Sequence, residues 1–354
     1  MIDRTGPFAS VYFDSSHDTE DADRQFELNQ RTIREKLSAA GASADVIGAI
    51  GIAVAAGPPA AGRSGRALIA DCRTVLVDEQ LPAPPPRELV RVSPLPCILP
   101  LLEQRAPRVP HVVALLHPAG ARLYAMDRHG DPMTWSVDPV NPLRGSRGQR
   151  QTRRHARDRM HRRIDEVADQ MCRLADRVAA VLLILIGDAP ARAALHNALD
   201  ARYTGDGTAD SPENVRRIVE IDGADREALR DLVRKTVAEA AEAHCRLILN
   251  RYRAERERPW GATASGLAET TAALRDRFVA QLLIDGSALD EHQVLVGDRH
   301  TEIATTAKEL TGHPEIRRAD EALPAAALAG NSEIVPIGGR MLLPDGVGAL
   351  LRRA

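Results

Sequence analysis

Between Arg144 and Arg163 the chain reads RGSRGQRQTRRHARDRMHRR, nine arginines and two histidines against one acid, Asp158. Guanidinium groups present planar forks of donors that suit phosphate oxygens. Their charge also displaces counterions condensed on a polyanion, so the chemistry this segment offers is salt-dependent contact with RNA. The excess survives correction for bias. Of 47 basic residues only Lys36, Lys235 and Lys308 are lysines, so 47 − 3 = 44 are arginines, the signature of a GC-rich genome. Forty-four in 354 residues predict about 2.5 in any twenty. Arg144, Arg147, Arg150, Arg153, Arg154 and Arg157 are therefore the candidate RNA-binding residues. The competing reading is a solvated helix face that pairs with Asp165, Glu166 and Asp169.

Those arginines need a helix to carry them, and the pattern supplies one. From about 152 to 180 the apolar positions Met160, Ile164, Val167, Met171, Leu174 and Val178 are spaced 4, 3, 4, 3, 4, a single buried face. A buried strand follows at 181–186. Before the helix, 111–116 and 121–126 read as a hairpin, with another strand at 133–137. A polar loop spans 203–213, and a second long helix is expected over 225–256. The amino-terminal part reads as a strand at 8–13, the polar turn Asp14–Asp18, helices over 19–39 and 43–56, and strands at 66–70 and 74–78 before a proline-rich turn at 82–86. Beyond Pro259 the pattern predicts helices at 267–275, 301–310 and 319–329 and strands at 278–285, 292–296 and 333–337. Strands alternate with helices throughout, so the fold class is α/β in three domains, 1–108, 109–257 and 258–354.

Other chemistry is largely excluded. The formal charge of −2 rules out a globally basic nucleic-acid binder, and DNA is not an expected partner. Aromatics are 3%, too few for a base-stacking platform of the single-strand type. Cys72, Cys97, Cys172 and Cys245 form no CxxC pair and are expected to be buried thiols. His155 and His161, six apart, lie on different helix faces, so no metal is expected. Adjacent His244 and Cys245 would diverge on a helix and make no dyad. Gly338-Gly339 and Gly346-x-Gly348 lack a following GK[ST] and read as turns, so no nucleotide or other cofactor is expected. The start, MIDRTGPFASVYF, has no signal-peptide pattern. The longest apolar run, Val178–Ile186, is about half a membrane span, so the expected location is cytoplasmic, with no membrane partner.

A strand hairpin, then Gly145-Ser146-Arg147-Gly148-Gln149, then an arginine-bearing helix resembles the middle domain of class-I archaeal and eukaryotic release factors. Gly148 and Gln149 match that family's G-x-G-G-Q loop, and Arg147 stands where it has a glycine. In the family the glycines admit the end of peptidyl-tRNA and the glutamine helps place the attacking water, so Gln149 and Gly148 are the candidate catalytic residues. Four further segments, GPFASVYFDSSHDT (6–19), GRALIAD (65–71), RADEALPAAALA (318–329) and DGVGALLRRA (345–354), resemble the bacterial branch of this superfamily, the Balon-like hibernation factors, and most of all its mycobacterial, dormancy-associated members.

The resemblance implies a three-domain architecture like that of class-I release factors and Pelota. The first domain would reach the decoding centre and the middle domain the peptidyl-transferase side. The third, similar to a ribosomal-protein-like α/β domain, would reach a translational GTPase, EF-Tu in Balon-type factors. The implied function is a non-catalytic factor that occupies the A site of idle 70S ribosomes under stress. The alternative is a peptidyl-tRNA hydrolase that rescues stalled ribosomes through Gln149. No codon-reading motif stands in the first domain. Its turn at Asp14–Asp18 reads either as a surface near ribosomal RNA or as a capped strand-to-helix turn.

Overall fold

The computed structural model describes residues 6–17, 22–56, 60–105, 109–117, 120–127, 132–137, 151–204, 216–222 and 226–352. Its contacts group residues 1–105 with 245–354 in one compact unit and 106–244 in another.

The amino-terminal part of the first unit runs β1 (Phe8–Asp14), β2 (Ser16–His17), α1 (Ala22–Ala39), α2 (Ala44–Ala56), β3 (Ala60–Ala61), β4 (Gly65–Ala70), β5 (Val75–Leu81), β6 (Leu89–Ser93) and α3 (Leu99–Gln104). Four strands form an antiparallel sheet in the order β5-β4-β1-β6. Residues 8–13 of β1 are all buried because the strand is covered on both faces. Ala9, Val11 and Phe13 pack with Ile33, Leu37, Val46, Ile50 and Val54 of the two helices, whereas Tyr12 turns to Leu81 and Leu101. The Asp14–His17 turn is held locally. The Ser16 amide donates to Asp14 Oδ1 at 2.8 Å, and the Ser64 amide donates to Ser16 Oγ at 3.0 Å. Arg66 caps the end of α2 by donating to the Ala53 carbonyl at 2.8 Å while it pairs with Asp78.

The second unit holds β7 (His111–His117), β8 (Gly120–Met126), β9 (Pro132–Val137), α4 (Gln151–Val178), β10 (Leu182–Gly187), α5 (Ala189–Thr204), β11 (Arg217–Asp222) and the start of α6 (Arg226–Arg256). The sheet order is β11-β10-β7-β8-β9, with β7, β10 and β11 parallel and the β7–β8–β9 meander antiparallel. Leu183 and Leu185 of β10 face α4 and α5, whereas Leu182, Ile184 and Ile186 face α6. Burial on both sides is why β10 reads as a continuous apolar run and not as an alternation.

After α6 come β12 (Thr263–Ser265), α7 (Gly266–Arg275), β13 (Val279–Ile284), α8 (Gly286–Leu289), β14 (Gln293–Val296), β15 (Ile303–Ala304), β16 (Glu315–Arg318), α9 (Ala319–Ala329), β17 (Glu333–Pro336) and β18 (Val347–Leu351). A mixed sheet, β12-β18-β13-β17, has α7 and α9 on one face and the last turns of α6 on the other. Tyr252 of α6 comes so close that a Cβ on Gly348 would lie 2.7 Å from its hydroxyl oxygen. β15, β14 and β16 make a separate three-stranded sheet.

Several expectations need correction. No α-helix spans 301–310: Ile303 and Ala304 pair with β14, and only a 3-10 turn follows at Ala307–Glu309. β6, α3, α5, β11, β12, β16 and β18 are elements that the hydrophobic pattern does not predict. Of the four thiols only Cys97 is buried. Cys72 is exposed, and Cys172 and Cys245 are half-buried. Among the described residues no group of His, Cys, Asp and Glu is arranged to hold a metal, and no helix is long and apolar enough to cross a membrane.

One buried polar network ties β6 to α9. Arg91 donates to Asp320 Oδ2 at 3.0 Å, to Glu321 Oε1 at 2.9 Å and to Cys97 Sγ at 3.3 Å. Ser93 Oγ donates to the other oxygen of Glu321, and Arg318 holds Asp320 from the opposite side. Burial opposes the Arg91 charge, but Cys97, Asp320 and Glu321 outweigh it and hold the guanidinium pKa above its ordinary value. Burial pushes the Cys97 thiol up to about 12. Glu321 is 1% exposed, so Glu321→Ala strands buried donors and is expected to cost about 3–5 kcal/mol in urea unfolding. A change below about 1 kcal/mol would show that water replaces the carboxylate.

A second network closes one end of the parallel strands. His196 Nδ1 lies 2.6 Å from Glu220 Oε1 and its Nε2 lies 3.5 Å from Asp200, while Arg192 donates to the Gly187 and Ile221 carbonyls and pairs with Glu220 and Asp222. The bond from His196, then that from Arg192, holds Glu220 below the usual carboxylate range. A depressed folded pKa stabilises the fold above the unfolded value, near about 4.3, and this stability is lost as pH falls through the folded value. Replacing Glu220 with Gln should therefore flatten the acid limb of a Tm-against-pH profile. An unaltered limb would refute the role of this pair.

Candidate nucleic-acid interface

The helix that must present the arginines is fixed firmly at its carboxyl-terminal half. Ile164, Val167, Met171, Leu174 and Val178 are all buried against the sheet, on the face that their spacing predicts. Two arginines from elsewhere in the chain add polar anchors. Arg202, at the end of α5, donates from Nε to Asp169 Oδ1 at 2.8 Å and from its terminal nitrogen to the Asp165 carbonyl at 3.2 Å. Arg216 donates to Asp176 Oδ1 at 2.6 Å and to the Ala180 carbonyl at 3.0 Å, and its guanidinium lies 4.9 Å from the centre of the Tyr203 ring. Burial opposes the charge of each arginine, and the facing carboxylates prevail and raise both pKa values. Tyr203 is pushed well above its ordinary value, by burial first and then by Cys172.

These contacts bear on the two readings of the basic segment. Of the three acids that a neutralised helix face would use, Asp165 and Asp169 are engaged by Arg202 of α5. At the other end, the first turn of α4 contains no acidic residue. Helix amino termini carry about half a positive elementary charge from aligned peptide dipoles and normally attract Asp or Glu. Here Arg153, Arg154 and Arg157 occupy the first two turns. Cations at a positive helix end cost helix stability, and an external anion such as phosphate relieves that cost.

Arg153, Arg154 and Arg157 thus stand on a helix, although the side chains of 151–162 lie outside the described residues, as do Arg144, Arg147, Gly148, Gln149 and Arg150. The expected loop is therefore not part of the described geometry. Sequence reasoning missed the anchors Arg202 and Arg216. Each meets its partner across a long stretch of chain, Asp169 and Asp176 lying 33 and 40 residues away, and no local spacing marks such a contact.

The comparisons with known proteins agree with the sequence resemblance. The family model of bacterial archaeo-eukaryotic release factor family 2 matches residues 110–258. An uncharacterized protein of Mycobacterium tuberculosis, found alike in strains CDC 1551 / Oshkosh and ATCC 25618 / H37Rv, is 34% identical over 368 aligned residues, covering 100% of this chain and 95% of its own length. Similar solved structures include archaeal translation termination factor aRF1, at 12% identity and TM-score 0.24, over 99% of this chain and 93% of that one. Dom34 of S. cerevisiae, a translation termination-like factor that interacts with Hbs1, is 7% identical with TM-score 0.41, over 79% and 73%. Ribosome-bound archaeal Pelota, seen together with ABCE1, is 13% identical with TM-score 0.41, over 99% and 91%. The chain belongs to the bacterial archaeo-eukaryotic release factors, family 2.

Proposed function

We propose that this protein binds the ribosome and occupies the A site of idle 70S particles as a non-catalytic hibernation factor. The observation that carries the reading is the set of arginines at the acid-free first turns of α4, a helix whose other half is clamped to its sheet. A cationic helix start suits RNA phosphates. Family membership supports the ribosome as the source of that RNA, because release factors work there. In this reading the three domains, 1–108, 109–257 and 258–354, span the A site from decoding centre to peptidyl-transferase side, and the third meets a translational GTPase, EF-Tu. The protein would act in the cytoplasm during stress and dormancy. Arg147 in place of a glycine argues for binding over hydrolysis, since its bulk crowds the position where the acceptor end of a tRNA would approach.

Cosedimentation with 70S ribosomes over a salt series is the test. Replacing Arg147, Arg150, Arg153 and Arg154 with alanine should weaken binding at least about tenfold and lower the slope of log affinity against log salt by up to about 3. Unchanged binding, or failure of the intact protein to sediment with ribosomes in low salt, overturns the proposal. Gln149→Ala should leave binding as it is, and no peptide should be released from stalled complexes by either form. Peptide release that disappears in Gln149→Ala would establish the hydrolase instead.

A further inference from the structure

The end of α6 carries a second concentration of arginine. Arg246, Arg251, Arg253, Arg256 and, just beyond the helix, Arg258 are all exposed. That is five arginines in the thirteen residues 246–258, where 44 in 354 predict about 1.6. Two acids share the segment. Glu255 is buried and bonded to Arg258 at 2.7 Å, and Glu257 is exposed. At about 1.5 Å and 100° per residue, Arg246 and Arg253 form a track about 10 Å long on one side of the helix, with Arg256 turned about 80° from them and Arg251 on the opposite flank.

The track ends in a tight turn, Pro259-Trp260-Gly261. A Cβ on Gly261 would lie 1.6 Å from the Glu255 carbonyl oxygen, so only glycine permits this reversal. Trp260 is held at φ +65°, a left-handed conformation that strains any residue with a Cβ, and its side chain is fully exposed. A strained turn that displays a bare indole in water at the end of a basic helix has no packing role. Two strands away, about 10 Å, a second exposed aromatic stands at the same end of the sheet. The Leu351 amide donates to the Ala262 carbonyl and the Arg352 amide to that of Phe278, which fixes Phe278, 58% exposed, beside Arg277. Asp276 is the exposed acid there, against Arg277 and Arg352.

We propose that the carboxyl-terminal end of α6 and the turn after it bind an unpaired stretch of RNA, with phosphates along Arg246 and Arg253 and a base stacked on Trp260. A fully exposed indole just beyond an arginine-rich helix end suits a base followed by phosphates. A protein ligand would call for a contiguous apolar patch, whereas the exposed apolar residues of this segment, Leu247 and Trp260, are thirteen positions apart with four arginines between them in the chain. One exposed ring falls short of the base-stacking platform of the single-strand type that the 3% aromatic content excludes, so the phosphate contacts carry most of the binding. This inference does not depend on the arginines of α4 and holds whether or not the protein occupies the A site.

The chain has two tryptophans, so Trp135→Phe leaves Trp260 as the one indole reporter. Titration of that variant with a short, unstructured, uridine-rich RNA should quench the remaining emission in a saturable, salt-sensitive way. Adding Trp260→Ala should weaken binding of fluorescein-labelled RNA at least about fivefold, with thermal unfolding unchanged. Replacing Arg246 and Arg253 with alanine should reduce the salt dependence. The same titration with Arg147, Arg150, Arg153 and Arg154 also replaced by alanine keeps its quench even if the middle-domain reading fails. Absence of quenching, or RNA affinity indifferent to Trp260→Ala, overturns the proposal. Equal quenching by polyglutamate does so too, because it points to an acidic protein segment.

Discussion

Arg91 is the residue on which the larger compact unit turns. It leaves β6 and meets Asp320 and Glu321 at the start of α9, almost 230 positions later in the chain. Three kinds of satisfaction make the burial tolerable: two carboxylates for one guanidinium, Ser93 for the second oxygen of Glu321, and Arg318 for the far side of Asp320. A buried ion pair of this sort adds little net stability over an apolar alternative, because desolvation consumes most of the attraction. Its value lies in geometry, since apolar faces slide and repack more readily than a hydrogen-bonded fork. The amino-terminal sheet and the carboxyl-terminal α/β layer are thereby set in one register across Cys97 and Leu99, both of which are buried.

The second unit follows the same logic with different chemistry. An apolar stripe along α4 fixes the side that faces the sheet, but a stripe alone allows a helix to slide by a turn. Arg202 and Arg216 remove that freedom by bonding to the Asp165 carbonyl and the Asp176 carboxylate of α4 and to the Ala180 carbonyl just beyond it. The carboxyl-terminal half of this 28-residue helix is thereby held in both rotation and register against its sheet.

Much of this is legible in the chain itself. The spacing of Ile164, Val167, Met171, Leu174 and Val178 announces α4 and its buried face, and the apolar run at 182–186 announces β10. The long helix expected over 225–256 agrees with α6 to within a residue. The elements that escape a linear reading are short or carry ambiguous patterns. α5 begins at Ala189 behind an Asp188 cap, yet its alanine-rich sequence gives only a weak amphipathic signal. The threonine-rich stretch after Thr301 suggests a helix by length and polarity, and pairing with β14 overrides it.

Residue types and order alone were enough for the α/β class, the long helices, the density of arginine ahead of and within α4, and the family. Those depend on composition and on periods of two or four residues, which neighbouring positions contain. Three-dimensional packing was needed to assign Asp165 and Asp169 to Arg202, to close Asp320 and Glu321 over Arg91, and to leave Trp260 bare at the end of a basic helix. Each of these joins residues far apart in the chain or depends on which side of an element meets solvent. Such pairings are set by packing free energy summed over the whole fold, and no window of neighbouring residues contains it.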